Sequence, residues 1–118
     1  MFSKSKVRIK SPDKIFEAEL ADTFLSQFLG FRFRSNGKML FPFSRNTRAL
    51  IDMMFVREPL HLYFLDYDKK VIAVQKAKPL GFKPDTWKLY RSEDPYRYLL
   101  ESFNNLGLSE GDRLEFEV

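Results

Sequence analysis

Charged and apolar residues alternate at both ends of the chain. Val7 and Ile9 alternate with Lys6, Arg8 and Lys10, and Phe16, Ala18 and Leu20 with Glu17 and Glu19. Near the other end, Leu114, Phe116 and Val118 alternate with Arg113, Glu115 and Glu117. A two-residue period puts the apolar groups on one face of a pleated strand and the charges on the other. Each stretch therefore predicts a half-exposed strand. Ser11-Pro12-Asp13 and Glu110-Gly111-Asp112 predict turns beside them.

The middle of the chain reads differently. Ala49 to Val56 and Leu60 to Leu65 are nearly continuous apolar runs, parted by Arg57-Glu58-Pro59. Val71 to Val74 follows after Asp66-Tyr67-Asp68-Lys69-Lys70. Runs of this length, rich in Phe, Val, Ile and Tyr, predict strands covered on both faces. Asp66 to Lys70 predicts a hairpin loop, because aspartates stabilise tight turns through their own side chains. Within Leu60–Leu65, alternation sets His61, Tyr63 and Leu65 on one face, opposite Leu60, Leu62 and Phe64.

Helix signals are few. Ala21 to Leu29 places Phe24, Leu25, Phe28 and Leu29 on one side, with Asp22 or Thr23 as cap and Gly30 as stop. Asp94 to Gly107 is ambiguous. Asp94 as cap, Pro95 at the first position and Tyr96, Leu99, Leu100, Phe103 and Leu106 spell an amphipathic helix. Tyr96 to Glu101 would also serve as a strand, with a helical turn over Ser102 to Leu106, although the local pattern favours helix. Met39, Met53 and Met54 fall in core positions, where methionine fills irregular gaps.

Composition narrows the chemistry. The chain has 118 residues, 44% hydrophobic and 31% charged, which is globular and enough for one core. No repeat or linker interrupts it, so one domain over residues 1–118 is expected. No apolar run approaches the roughly 18 residues that span a bilayer. Cysteine is absent and histidine occurs once. That removes disulfides, iron–sulfur clusters, thiolate zinc and cysteine nucleophiles. No cofactor is implied, since neither a phosphate-binding Gly-rich loop nor a dinucleotide fingerprint is present. With no secretory signal pattern at Met1-Phe2-Ser3-Lys4-Ser5-Lys6, a cytoplasmic protein is the expectation. The net charge is +4, unevenly spread: residues 1–48 carry 10 basic and 4 acidic groups, and residues 49–118 carry 10 and 12.

Several stretches in order resemble a known family. They are Gln27-Phe28-Leu29-Gly30-Phe31-Arg32, Gly37-Lys38-Met39-Leu40-Phe41 and Ile51-Asp52-Met53-Met54-Phe55-Val56. Glu58 to Asp66 follows, with the hairpin to Val71-Ile72, then Tyr98-Leu99-Leu100-Glu101 and Gly111-Asp112. Over residues 14–118 this set resembles the "domain of unknown function 192" (DUF192, UPF0127) family in its short archaeal form. The resemblance implies a compact, mainly β domain, with a strand at Arg97–Glu101. It implies no reaction. Two departures stand out. The family's Pro-Leu-Asp reads Pro59-Leu60-His61 here, and the bacterial Trp-Met-Lys-Asn-Thr motif is replaced by Ile51-Asp52-Met53-Met54-Phe55.

The expected fold is thus mainly β (α+β): a small barrel or sandwich-like antiparallel or mixed sheet with one or two short helices. Three functional readings stay open. The first is a non-enzymatic module that binds a small ligand or a protein partner. The second is a small hydrolase or metal-assisted enzyme using Asp52, His61 and Glu101. His61 is the one side chain suited to proton transfer near neutral pH, and carboxylates in apolar stretches need a partner or a raised pKa. The plainer reading makes His61 a hydrogen-bonded sheet residue, pairs Glu101 with a cation and sets Asp52 against a turn amide. No metal site is indicated, because one histidine with carboxylates is a poor zinc set. The third is a single-stranded nucleic-acid binder using Arg32, Arg34, Arg45 and Trp87, since basic groups track phosphate and exposed rings stack bases. Its plainer counterpart is a solvated face with the rings turned inward.

Overall fold

A computed structural model describes residues 5–22, 36–51, 53, 56, 58–79 and 89–118. They build six strands: β1 Lys6–Lys10, β2 Ile15–Leu20, β3 Lys38–Thr47, β4 Leu60–Leu65, β5 Val71–Ala77 and β6 Tyr96–Ser102. The sheet order is β1-β2-β3-β6-β4-β5. Every neighbouring pair is antiparallel except β2 and β3, which run parallel. The sheet is mixed and the fold predominantly β, with no helix among the described residues. The helix expected over Ala21–Leu29 lies, from residue 23 on, outside them.

The β1–β2 hairpin closes where the sequence predicts. The Lys14 amide donates to Ser11 Oγ, and the Ser11 hydroxyl in turn donates to Asp13. The β4–β5 loop turns on Asp66, whose Oδ1 accepts from the Asp68 and Lys70 amides at 2.9 and 3.0 Å. Asp94 to Gly107 resolves to strand β6 and a following bend, so the strand that the resemblance implies at Arg97–Glu101 is present and the local helical pattern does not prevail. The reason is position: β6 lies between β3 and β4 and supplies ladder bonds to both. Membership of two ladders outweighs the local helical pattern.

Two further expectations need correction. Ala49–Val56 does not form a strand in its described part. Only Ile51 makes a bridge, to Tyr90, while Leu50 is 50% exposed. Val71–Val74 is not covered on both faces, since β5 is an edge strand and Val74 is 41% exposed. β4 is covered as expected: all of Leu60–Leu65 is buried except half-buried His61.

Each face of the sheet carries its own core. One packs Met39, Phe41, Leu62, Phe64 and Leu99 against Met53, Val56 and Tyr90 of the irregular segments. The other packs Val7, Ile9, Leu40, Tyr63, Leu65 and Leu100 against Leu106, Leu108, Leu114 and Phe116. This second core is enclosed because the sheet closes on itself. The tail bonds to Lys69 and Val71 on the β5 side: Val71 N donates to Asp112 O (2.8 Å), Gly111 N to Val71 O (2.8 Å) and Leu114 N to Lys69 O (2.9 Å). On the β1 side, Lys10 and Glu115 exchange both backbone bonds at 2.9 Å. Arg113 and Glu115 therefore bridge opposite sheet edges, although residues two apart on a strand are only about 7 Å apart. The edges must meet there, and the strands wrap into a barrel.

The tail is not a regular strand, contrary to the reading of Leu114–Val118. It makes single bridges at Arg113 and Glu115. Its alternation survives in burial, with Leu114 and Phe116 inside and Glu115 outside.

Candidate functional site

The strand registers fix where each candidate residue points. His61 stands opposite Ser102 of β6 and Lys76 of β5, and Ser102 stands opposite Lys38 of β3. Directly paired residues share a face. Lys38, Ser102, His61 and Lys76 thus form one row across four strands. Partial burial, and then the neighbouring Lys76 ammonium, hold the His61 imidazole below its ordinary 6.5.

Glu101 belongs to the opposite face. It stands between Met39 of β3 and Leu62 of β4, both in the first core, and it is itself buried. Burial first, and then the Glu101 charge, push the Tyr96 phenol above its usual range. The Tyr96 hydroxyl donates to the Ala49 carbonyl at 2.8 Å. His61 and Glu101 are accordingly separated by the sheet rather than brought into one cleft. Asp52 lies outside the described residues, as do Arg32, Arg34 and Trp87. Arg45 is exposed near the far end of β3. Tyr90, three residues beyond Trp87, is turned inward, and its hydroxyl accepts the Lys78 amide. No group of three or more histidine and carboxylate side chains that would suit a metal ion occurs among the described residues.

A concave feature among the described residues lies elsewhere, along β1. A shallow groove of about 550 Å³ is lined by Lys6, Val7, Arg8, Lys10, Ile15, Glu115, Phe116 and Glu117. Its β1 wall is an edge. Leu20 N donates to Ser5 O, and Ser11 N to Lys14 O. In an antiparallel ladder, hydrogen-bonded pairs recur at every second residue. Val7 and Ile9 therefore bond to β2, while the amides and carbonyls of Lys6, Arg8 and Lys10 point outward. Lys10 meets Glu115; beyond it the tail makes no further ladder bond to β1. Phe116 packs edge-on against Tyr98 at 5.1 Å, and its carbonyl accepts Lys69 Nζ at 2.6 Å. The backbone groups of Arg8 and Lys6 are left facing the groove. Sequence reasoning did not single out this site, yet a signal existed: outward Lys and Arg are typical guards of an exposed strand edge.

The family described as "Uncharacterized ACR, COG1430" (DUF192) matches residues 6–116. A UPF0127 protein of Pyrococcus furiosus is 30% identical over 107 residues, covering 85% of this chain and 86% of the relative. A UPF0127 protein of Thermococcus gammatolerans is 27% identical over 108 residues; the match covers 85% of this chain and 66% of that longer relative. Among solved structures, a Sinorhizobium meliloti protein named provisionally as a transcription regulator superposes with a TM-score of 0.77 at 25% identity, over 98% of this chain and 97% of its own. A Novosphingobium aromaticivorans protein of unknown function gives 0.75 at 22%, over 95% and 84%. With the family model spanning nearly the whole sequence and the Pyrococcus furiosus protein matching over most of both chains, the chain belongs to the DUF192 family, also named UPF0127.

Proposed function

We propose that the protein is a non-enzymatic binding module and that the groove along β1 is its binding surface. The observation that carries this reading is the conjunction of a concavity with an edge strand. The groove has the exposed apolar side chain of Ile15 on its lining and outward backbone groups along one side. An extended polypeptide satisfies such groups by main-chain hydrogen bonds, with side chains seated at alternate positions. Against catalysis by the three polar candidates stands the separation of His61 from Glu101, because acid–base work needs heavy atoms about 3 Å apart.

The test is a mixed panel of short peptides and small molecules added to isotope-labelled protein. Amide shifts clustered at Lys6–Lys10 and Glu115–Glu117 are the expected result. Shifts confined to other surfaces would overturn the reading, as would ester or phosphoester turnover that disappears in His61→Ala.

A second reading, nucleic-acid binding, draws on the provisional name of the Sinorhizobium relative and on exposed Arg45. Its signature is steep salt dependence, with a log–log slope near about −0.7 per phosphate contacted on single strands. Absence of binding to mixed oligonucleotides at low salt would remove it.

A further inference from the structure

We infer that the β1 edge accepts an extended acidic segment of a partner protein, which adds as a strand beside Lys6 and Arg8. The inference rests on the groove being a binding surface and specifies what fills it. The backbone supplies the first argument. Past the Lys10–Glu115 bridge, the outward amides and carbonyls of Arg8 and Lys6 continue the same edge, and no described residue extends the ladder. A strand laid there would complete it.

Charge supplies the second argument. The outer face of β1 presents Lys6, Arg8 and Lys10, all exposed. Both segments already beside β1 answer with glutamates at alternate positions. Glu19 stands opposite Lys6 and Glu17 opposite Arg8, while Glu115 pairs with Lys10. Between those glutamates come apolar residues, Ala18 in one segment and Phe116 in the other. The segment that fits the vacant stretch repeats this pattern, with Asp or Glu outward and an apolar residue inward. Opposite charges directly across a ladder stabilise it, and like charges destabilise it.

The same rule disfavours a second copy of the chain. β1 paired with β1 would set Lys and Arg against Lys and Arg on one face. The chain's own tail is the other rival. Glu117 lines the groove and, counting from the Lys10–Glu115 pair, stands at the register position opposite Arg8. It makes no ladder bond there.

The experiment uses two synthetic peptides on the full chain, acetyl-Glu-Val-Glu-Ile-Glu-amide and its lysine counterpart. Amide hydrogen exchange and titration shifts are read residue by residue. The acidic peptide is expected to protect the Arg8 amide, and the lysine peptide is not. Arg8→Pro removes the outward donor while sparing the bonds to β2, and proline is tolerated at an edge with that orientation. It should weaken the acidic peptide by about tenfold or more without unfolding the protein. Arg8→Gln keeps the donor and reports the charge contribution alone, so a fold defect in one variant leaves the other informative. Equal binding of both peptides would overturn the acidic class while leaving the groove a binding surface. Binding of neither peptide, while other peptides shift groove residues, would do the same. Protection of Arg8 without peptide would overturn the inference in favour of an internal or self-paired occupant. It would be the tail if independent of concentration, and a second copy if it grows with concentration. No groove shifts with any peptide would remove the binding reading itself.

Discussion

His61 is the only imidazole in the chain, and its surroundings bias it toward the neutral form. Folding lowers its pKa, so the unfolded chain binds the proton more tightly. The associated stability is retained above 6.5 and lost as pH falls through the lowered folded value. A titration followed by imidazole proton resonances should give a midpoint under 6.5. Lys76→Gln should move it part of the way back, because burial is the larger cause and remains; no movement would show that Lys76 does not act on His61. Tyr63 gives a second prediction. Its hydroxyl accepts the buried Leu106 amide at 2.9 Å and donates to Asn105 at 3.3 Å. Tyr63→Phe leaves that amide unpaired and should cost about 1–3 kcal/mol in urea unfolding. Much at this scale was legible in advance. The opposed faces of His61 and Leu62 follow from strand alternation alone. That His61 and Glu101 look away from each other was not legible, because it depends on which residues of β4 and β6 stand opposite each other.

At the scale of elements, sequence served best where the turn chemistry is local. Asp66 and Ser11 carry their own hydrogen-bonding groups into the turns they form, so both hairpins could be read directly. Asp94–Gly107 could not be read from its local pattern, since its helical spacing is real and only its ladder partners decide against it; the family resemblance alone implied the strand at Arg97–Glu101. Ala49–Val56 departs from its strand-like pattern in its described part. Its apolar run packs as an irregular layer, with Met53 and Val56 inward and Leu50 outward. The turn at Gly111 can be tested on its own. Gly111 has φ +96°, which an L side chain seldom adopts, although a Cβ there would meet nothing within 4 Å. Gly111→Ala should therefore destabilise by about 1–2 kcal/mol through backbone conformation alone. A variant as stable as the parent in thermal unfolding would mean that the turn adjusts, and that the bond to Val71 is not held by this geometry.

For the molecule as a whole, the tail decides what the sheet becomes. With it, opposite edges meet and the core of Val7, Leu65, Leu100 and Phe116 is sealed. Without it, β1 and β5 would both be open edges. Lys69 ties the closure from the side, its ammonium 4.7 Å from the Phe116 ring centre. A barrel was among the expected folds and alternation put Leu114 and Phe116 on one face, but which strands the tail joins was not visible along the sequence. Lys10 and Glu115 are far apart in the chain, and their meeting depends on the twist and tilt accumulated over every strand between. The same closure leaves the edge at Lys6 and Arg8 unfinished, and the proposed function depends on that remainder. Native-state amide hydrogen exchange, resolved by residue, tests the arrangement most directly. Closure by the tail predicts slow exchange at Val7, Ile9, Lys10, Val71, Leu114 and Glu115, with fast exchange at Arg8 in the middle of its strand. Fast exchange at Lys10 and Glu115 would contradict the closed barrel, and slow exchange at Arg8 would contradict the open edge.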